Sequence, residues 1–385
     1  MHISAIGLTT NALCTLDMMA DRGKKMNREK LNNILLAMKQ NCVSQLLISD
    51  PAVIYYLTGV SIQPGERMLV LVLRADGQNR FFINDLFHQT RDLGVPITYY
   101  NDTQDGVALV AKALIPGEAV AVDKNWPARF LLRLQELHGG KCVNSSSIVD
   151  GVRAIKTPEE QEKMRIASRL NDQVMDRIIH ALPEDHTETE LADLLLQYYL
   201  DAGCSGYSFE PITAFAGNAA DPHHVTDNSR GKRGDCVVLD IGGRKDDYCS
   251  DMTRTVFLGE VSDRQREIYE IVKEANLRGI AAAKPGARMC DVDKAARDYI
   301  TEKGFGKYFT HRTGHSIGLE VHEAGDVSAV NEAVIRPGQC FSVEPGIYIP
   351  EEGIGVRIED LVLITEDGCE VLNHYPKDLT VVPFK

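Results

Sequence analysis

The sequence predicts an α/β domain followed by an α+β domain. A chain of 385 residues is longer than one typical hydrophobic core accommodates. Short apolar runs alternate with helical stretches in the first part of the chain. In the second part, four helix starts accompany strand pairs joined by polar turns. We place the two domains at 26–153 and 154–385, and we treat residues 1–25 as an extension or a misassigned start.

The composition excludes several classes of function. Hydrophobic residues make up 44% and charged residues 25% of the chain, which is typical of a globular protein. The net charge of -13 repels phosphate backbones and anionic lipid, so we expect no nucleic-acid partner and no membrane partner. The chain has 9 cysteines without a C-x-x-C pair, which indicates reduced thiols in the cytoplasm. The N-terminal segment has no signal-peptide pattern.

The first domain is expected to open with a helix. Asn27 is a suitable N-cap for the stretch REKLNNILLAMKQN, which has helical spacing. The apolar runs QLLIS, AVIYYL, MLVLVL and RFFIN follow and are expected as strands. The stretch ARFLLRLQELHGG has helical spacing again. Because this domain holds no cluster of catalytic residue types, we place the functional site in the second domain.

Four helix starts are visible in the second domain. Thr157 is an N-cap, Pro158 fills the first helical position and Glu160 completes a capping box. This helix should run toward His180. Three further starts are expected: Thr187 with Glu190, ending at Gly203; Ser262 with Gln265, ending near Pro285; and Asp291, ending near Gly304.

A first acidic hairpin is predicted in DCVVLDIGGRKDDYCSDMTRTVFLG. Asp240 and Asp251 are equidistant from a turn centred between Lys245 and Asp246, so a regular hairpin would place them opposite each other. Opposed side chains have Cβ atoms about 4.5–5.5 Å apart, and two carboxylates there must share a proton, reach water or bind a cation. For this pair alone, a solvated acidic turn is the simpler interpretation.

A second acidic hairpin in FSVEPGIYIPEEGIGVRIEDLVLI changes that interpretation. Glu344 and Glu359 are equidistant from a turn centred between Glu351 and Glu352. Four carboxylates flanked by apolar sequence suit two divalent cations. The intervening stretch HRTGHSIGLEVHE offers a nitrogen ligand from one of three histidines, His311, His315 and His322.

The motifs AGNAADPHH, LDIGG with SDMTRT, HRTGHSIGLEVHE, and SVEPGIY with GVRIED resemble those of the pita-bread metallopeptidases. They are most similar to the branch of Xaa-Pro aminopeptidases and Xaa-Pro dipeptidases (prolidases). The motif-bearing region covers residues 157–385, and the preceding domain resembles the creatinase-type N-terminal domain. The resemblance therefore implies a creatinase-like α/β domain before an α+β pita-bread domain. It also implies five metal ligands, Asp240, Asp251, His315, Glu344 and Glu359.

The same resemblance implies roles for other side chains. His223, His311 and His322 correspond to substrate-binding positions. His223 and His322 are also expected to act in catalysis, by holding the substrate near the prolyl nitrogen and by steadying the oxyanion, respectively. Glu344 is the expected proton shuttle. Arg357 corresponds to an arginine that braces the ligating carboxylates.

The implied cofactor is a pair of divalent ions, manganese first, with cobalt, zinc or iron as alternatives. The implied partners are a proline-containing peptide substrate and a second copy of the chain in a homodimer. Some prolidases carry an arginine for the dipeptide carboxylate where this chain has Ala324, Gly325 and Asp326. The choice between a dipeptidase and an aminopeptidase of longer peptides therefore stays open. A catalytically inactive pita-bread binding protein and a metal-free creatinase-like hydrolase are the alternatives, and the complete ligand set argues against both.

Overall fold

The computed structural model describes residues 25–384, which form two units that divide between Val152 and Arg153. All but the last residue of the predicted extension, 1–25, lies outside the described residues. No helix in the described part of the chain has both the length and the apolar character needed to cross a membrane.

The first unit is built around a mixed sheet with strand order β4-β3-β2-β1-β5-β6. Its strands are β1 Gln45–Ile48, β2 Val70–Arg74, β3 Arg80–Asn84, β4 Ile97–Tyr100, β5 Val120–Val122 and β6 Cys142–Asn144. Its helices are α1 Arg28–Gln40, α2 Pro51–Thr58, α3 Gly106–Ala113, α4 Ala128–His138 and α5 Ser146–Arg153, whose last residue belongs to the second unit. The predicted α/β class is confirmed.

Most of the predicted elements of this unit are present, but one is of the wrong type. Asn27 caps α1 by accepting a hydrogen bond from the N–H of Lys30, as expected. The run AVIYYL, predicted as a strand, is instead helix α2. Asp50 caps this helix and Pro51 fills its first turn. A buried helix is apolar on most sides, so hydrophobic periodicity does not distinguish it from a buried strand.

The second unit contains four long helices within its described residues. Their bounds are α6 Pro158–Ala181, α7 Glu188–Asp201, α8 Asp263–Ala282 and α9 Met289–Glu302. The capping boxes predicted for α6, α7 and α8 are all present. Helix α9 begins two residues before the predicted start, since Asp291 is not its N-cap. The carboxylate of Asp291 accepts a hydrogen bond from the N–H of Arg288 and serves inside the first turn.

The strands of this unit form two larger sheets and two short hairpins. One sheet has the order β19-β11-β8-β7 and the other β13-β12-β14-β17-β18, while β9 pairs with β10 and β15 with β16. The strands before the histidine-rich stretch are β7 Ile212–Phe215, β8 Cys236–Ile241, β9 Arg244–Lys245, β10 Tyr248–Cys249 and β11 Met252–Leu258. The remaining strands are β12 Gly314–Ser316, β13 Glu323–Val327, β14 Cys340–Val343, β15 Gly346–Ile349, β16 Ile354–Arg357, β17 Asp360–Ile364, β18 Cys369–Val371 and β19 Val381–Val382.

Two hydrophobic clusters fix the hairpins of this unit against its helices. In one, side chains of α6 and α7 pack on β8 and β11. In the other, side chains of α8 and α9 pack on β15 and β16. Strand β12 lies so close to β14 that a Cβ at Gly314 would come within 1.9 Å of the carbonyl oxygen of Ser342. A glycine is therefore required where the histidine-rich stretch enters the sheet.

Candidate metal centre

The hairpin of β8 and β11 carries Asp240 and Asp251 in a register that differs from the predicted one. Asp240 lies opposite Thr253. The turn is centred between Asp246 and Asp247, whose φ angles of 47° and 69° are left-handed. Two left-handed residues make a turn whose twist matches that of the strands, and this turn falls one residue later than predicted. The predicted direct opposition of Asp240 and Asp251 is therefore wrong.

Asp251 nevertheless stays on the same face of the hairpin as Asp240. It stands two residues before Thr253, and side chains two positions apart on a strand share a face. A register shift of two residues preserves this parity, whereas a shift of one would have turned Asp251 away. The two carboxylates remain close enough for the charge of Asp240 to raise the pKa of Asp251, after the larger effect of burial.

The second hairpin has the predicted register. Strand β14 pairs with β17, and β15 pairs with β16. Both pairs have the same register, and the pairing is interrupted only at the residues between them, near Pro345. Glu344 and Glu359 fall between the two ladders, directly opposite each other. The turn is centred between Glu351 and Glu352, so the predicted opposition of these two carboxylates is confirmed.

The ring of His315, in β12, is oriented by its neighbours. Its backbone N–H donates to Oγ of Ser342 at 3.0 Å. Ring Nδ1 donates to the carbonyl oxygen of Ser316 at 3.3 Å, which directs Nε2 toward the cluster. That Nε2 lies 3.5 Å from Oδ2 of Asp251 and 3.5 Å from Oε1 of Glu344. The ring therefore presents Nε2 to carboxylates from both hairpins.

Three buried side chains bring donor atoms together at one point. An oxygen of Asp251, a nitrogen of His315 and an oxygen of Glu359 lie within 4.8 Å of one another. These residues are only 3%, 4% and 1% exposed. Among the described residues, Oδ1 of Asp240, Oδ1 of Asp251 and Oε1 of Glu359 are buried without a hydrogen-bond partner. Buried carboxylate oxygens without donors are costly unless a cation binds them, so this donor set fits divalent metal ions.

The pKa shifts of the four carboxylates also favour a bound cation. Burial, followed by repulsion from neighbouring carboxylates, raises the pKa of Asp251 and of Glu359 well above the usual range. Burial also raises the pKa of Asp240, against the opposing charge of Arg357. Burial opposes ionisation of Glu344 as well, but two histidine rings and Arg357 bring its pKa below the usual value. A divalent cation would favour the ionised form of all four carboxylates.

Arg357 links the two acidic hairpins. Its Nη2 donates to Oδ2 of Asp240 at 2.6 Å, and its Nε donates to Oγ1 of Thr253 at 3.1 Å. Thr253 in turn donates to Oε2 of Glu359 at 2.8 Å. The contacts to Asp240 and Glu359 each engage one carboxylate oxygen and leave the other oxygen for a metal. Arg357 and Thr253 thus orient two of the predicted ligands.

A chain of hydrogen bonds continues from Arg357 to His311. Nη1 of Arg357 donates to the hydroxyl oxygen of Tyr348 at 2.8 Å. The hydroxyl therefore donates to Nε2 of His311 at 2.9 Å, and Nδ1 of the same ring donates to the carbonyl oxygen of Arg312 at 2.7 Å. Burial lowers the pKa of His311, so the ring is neutral. Both ring nitrogens are engaged, so His311 positions the brace, and its predicted substrate contact stays a prediction.

Replacement of Arg357 by lysine tests the brace. We expect Arg357→Lys to lower metal affinity by roughly 10- to 100-fold, because an ammonium cannot hold Asp240, Thr253 and Tyr348 together. Competition with a chelator would measure the change. The matched control is Arg264→Lys, whose guanidinium makes a two-pronged contact with Glu352 on the surface. Equal metal affinities in wild type and Arg357→Lys would contradict this account.

His322 lies next to the cluster, whereas no contact joins His223 to it within the described residues. The rings of His315 and His322 meet edge to face with centroids 4.3 Å apart. His322 is exposed on its other side, and partial burial, together with the charge of His315, lowers its pKa to about 4. His223 is exposed between β7 and β8, and its backbone N–H donates to Asp221 at 3.0 Å. Within residues 25–384 its ring makes no hydrogen bond to the cluster.

A second group of potential ligands, around Glu188, is structural. One oxygen of Glu188 accepts from the N–H of Phe215 and the amide of Asn218, each at 2.9 Å. The other accepts from Nε2 of His224 at 2.7 Å and from the N–H of Asp227 at 3.1 Å. Because both oxygens are already occupied by donors, this buried carboxylate ties down the loop that carries His224. These contacts give His224 a structural role.

Glu323, which follows His322, is held by buried cations. Its two oxygens accept from Arg153 at 2.6 Å and from Lys156 at 2.7 Å. Oε1 also accepts from the N–H of Leu319 at 3.0 Å, which fixes the loop before His322. Burial alone would raise the pKa of Glu323. The charges of Lys156 and Arg153 outweigh this effect and lower the pKa from 4.5 to about 2.

This lowered pKa predicts an acid-dependent loss of stability. Glu323 should contribute about 3 kcal/mol to the free energy of unfolding above pH 4.5, and this contribution is lost as the pH falls toward 2. Urea unfolding of the metal-free protein between pH 7 and pH 2 would measure it. We expect Glu323→Gln to remove this part of the pH dependence and exposed Glu366→Gln to retain it. Identical pH profiles for wild type and Glu323→Gln would contradict the prediction.

The family follows from comparison with known proteins. A model of metallopeptidase family M24 matches residues 162–366, which is more than half of the chain, and a model of the creatinase/prolidase N-terminal domain matches residues 30–155. The chain belongs to metallopeptidase family M24. It is 36% identical to an uncharacterized peptidase of Staphylococcus aureus (strain MRSA252) over 359 residues, which cover 90% of this chain and 99% of the relative.

Solved structures resemble this M24 chain over nearly its whole length. The dipeptidase PepE from Mycobacterium ulcerans matches with a TM-score of 0.88 and 34% identity, covering 92% of this chain and 97% of that one. An Xaa-Pro dipeptidase from Bacillus anthracis matches with a TM-score of 0.83 and 31% identity, covering 92% and 99%. The predicted family resemblance and fold class are confirmed.

Sequence reasoning missed several residues that shape the M24 site. Thr253 stands two residues after Asp251, and Ser342 stands two residues before Glu344. Because alternate residues of a strand share a face, this spacing was a signal that both hydroxyls lie beside ligands. Tyr348 had no such signal, since its contacts with Arg357 and His311 depend on how separate strands come together.

Proposed function

We propose that this chain is a dinuclear metallopeptidase that hydrolyses the Xaa-Pro bond at the N-terminus of peptides or in Xaa-Pro dipeptides. The observation that carries the proposal is the buried cluster of Asp251, His315 and Glu359, with Glu344 opposite Glu359 and Asp240 on the neighbouring hairpin. Similar solved structures that are named prolidase and Xaa-Pro dipeptidase support the choice of reaction.

The proposed ligands of the metal pair are Asp240, Asp251, His315, Glu344 and Glu359. Four carboxylates supply enough negative charge for two divalent ions, and their oxygens with one imidazole suit manganese, with cobalt, zinc or iron as alternatives. When bound, such ions lower the pKa of a water molecule and polarise a substrate carbonyl. Orientation, proton transfer and oxyanion binding fall to the side chains of the protein.

Glu344 is the proposed proton carrier between the attacking water and the leaving nitrogen. Its lowered pKa keeps it ionised and therefore able to accept a proton. Oε1 already accepts a hydrogen bond from Oγ of Ser342 at 3.1 Å and lies 3.5 Å from Nε2 of His315. We therefore assign the transfer to Oε2.

His322 is the proposed donor to the developing oxyanion. With a pKa of about 4 its ring is neutral at pH 7 and carries one N–H, and its exposed side is accessible to a substrate. A fixed donor at that point stabilises charge that appears only in the transition state. His223 is proposed, from the family motif, to hold the substrate near the prolyl nitrogen.

A proline after the scissile bond explains why a specialised peptidase is needed. An Xaa-Pro bond has no N–H, and the proline ring restricts the preceding residue, so sites built for ordinary peptide bonds accept it poorly. An inactive binding protein or a metal-free creatinase-like hydrolase would have no need for five converging side chains of metal-ligating types. The complete set therefore favours the peptidase over both alternatives.

Hydrolysis of small peptides tests the proposal. The purified protein, supplied with Mn²⁺, is incubated with Ala-Pro, Ala-Pro-Gly and the matched control Ala-Ala, and release of alanine is followed. We expect cleavage of at least one proline peptide and little cleavage of the control. No cleavage of either proline peptide would overturn the proposed function.

A further inference from the structure

Arg312 occupies a fixed backbone position beside the proposed catalytic residues. It stands three residues before His315, and its carbonyl oxygen accepts the hydrogen bond from Nδ1 of His311. The next residue, Thr313, donates through Oγ1 to Asp293 at 2.7 Å. The backbone on both sides of Arg312 is therefore fixed by buried groups.

The side chain of Arg312 is exposed and has no partner within residues 25–384. Neither a hydrogen bond nor an ion pair reaches its guanidinium there, although the chain carries a net charge of -13. Nearby Arg297, in contrast, holds both oxygens of Asp293 at 2.8 Å and two backbone carbonyl oxygens. An exposed guanidinium without a partner is available to an anionic ligand.

The charge of Arg312 acts on the ring of His322. It contributes to lowering the pKa of His322, the ring that packs edge-on against His315. The residues that follow His322 offer no alternative cation, since they are Glu323, Ala324, Gly325 and Asp326. Between His311 and Asp326, Arg312 is the one lysine or arginine, and its side chain is exposed.

The chemistry of the substrate identifies the anion. In a dipeptide, the free carboxylate belongs to the residue after the scissile bond, so it lies within about one residue length, roughly 3.5 Å, of the leaving nitrogen. In a longer peptide that position holds an uncharged amide. A planar guanidinium matches a carboxylate through two parallel hydrogen bonds and gains little from an amide.

We propose that Arg312 binds the free carboxylate of an Xaa-Pro dipeptide and makes this chain a dipeptidase in preference to an aminopeptidase of longer peptides. This inference rests on the proposed function. It assigns Arg312 as a specificity-determining residue that touches the substrate without taking part in proton transfer.

The test compares a dipeptide with the same dipeptide lacking its negative charge. Kinetic constants for Ala-Pro and for its C-terminal amide are measured on the Mn²⁺-loaded wild type, Arg312→Gln and Arg312→Lys. Arg266→Gln is the matched control, because Arg266 is exposed on α8 and the substitution removes the same charge. Far-ultraviolet circular dichroism and metal content confirm that each variant is folded and loaded.

The expected result is a loss confined to the charged substrate. For Arg312→Gln, kcat/KM on Ala-Pro should fall by roughly tenfold to a hundredfold, mainly through KM, while hydrolysis of the amide changes by less than about threefold. Arg312→Lys should retain part of the preference and Arg266→Gln all of it.

Two outcomes would overturn the proposal, and they are distinguishable. If the wild type cleaves both substrates but Arg312→Gln affects them equally, Arg312 does not bind the carboxylate and the proposed function survives. If the wild type cleaves neither substrate nor Ala-Pro-Gly, the proposed function and the role of Arg312 fail together.

Discussion

Asp251→Asn should lower kcat/KM for Xaa-Pro hydrolysis by roughly a thousandfold or more. Asp251 is 3% exposed, and one of its oxygens lies in the cluster with His315 and Glu359. The amide has almost the same shape but only one acceptor oxygen and no charge, so we expect at most one metal ion per chain in place of two. Metal analysis by mass spectrometry beside the peptide assay would measure both effects.

The same substitution should stabilise the metal-free protein. The pKa of Asp251 is raised in the folded state, and an acid with a raised pKa reduces stability at pH values above its ordinary pKa. Removal of that charge should increase the free energy of unfolding at pH 7 by about 1–4 kcal/mol. Asp298→Asn, at the exposed surface of α9, is the control and should change neither activity nor metal content. A metal-free Asp251→Asn protein that is less stable than metal-free wild type would contradict the proposed repulsion.

His322→Gln should separate catalysis from metal binding. We expect kcat to fall by roughly 100- to 1000-fold, because a donor to the developing oxyanion is removed, while two metal ions per chain are retained. The side chain is exposed, so the free energy of unfolding should change by no more than about 0.5 kcal/mol. Steady-state kinetics and metal analysis on the same sample would show the separation.

The control for His322→Gln is His180→Gln, which removes an exposed histidine near the end of α6. That variant should keep wild-type kinetics. A change in KM alone for His322→Gln would instead assign His322 to substrate binding, and a loss of metal would assign it to the ligand set. Either result would contradict its role as the oxyanion donor.

Local signals made much of the fold predictable. The capping boxes of α6, α7 and α8 depend on residues three positions apart, so the sequence alone located these helix starts. The prediction of AVIYYL as a strand was wrong because its apolar pattern does not decide the structure of this segment. Helix α2 is buried on most sides, and its type is decided by tertiary packing and by Asp50 at its N-cap.

The two hairpins show what limits prediction of a site. The symmetry of Glu344 and Glu359 about their turn was sufficient, because the ladder on both sides is regular. The symmetry of Asp240 and Asp251 about their predicted turn did not give the correct register. That register depends on two left-handed residues in the turn, and the sequence does not reveal which residues adopt this conformation. The face of the strand was still correct, since parity survives a shift of two residues.

The hydrogen-bond chain from Asp240 through Arg357 and Tyr348 to His311 could not be predicted from spacing. Its members come from four separate strands or loops, and each bond depends on how those segments pack. Family resemblance pointed to Arg357 as a brace and to His311 as a substrate contact. The geometry joins both residues in one network that orients Asp240.

The central claim is that five side chains hold a pair of divalent ions. Crystals of the Mn²⁺-loaded protein, measured at the manganese absorption edge, test it most directly. We predict two anomalous peaks about 3.5–4 Å apart, ligated by Asp240, Asp251, His315, Glu344 and Glu359. No peak among these residues, or a peak held by other side chains, would contradict the claim.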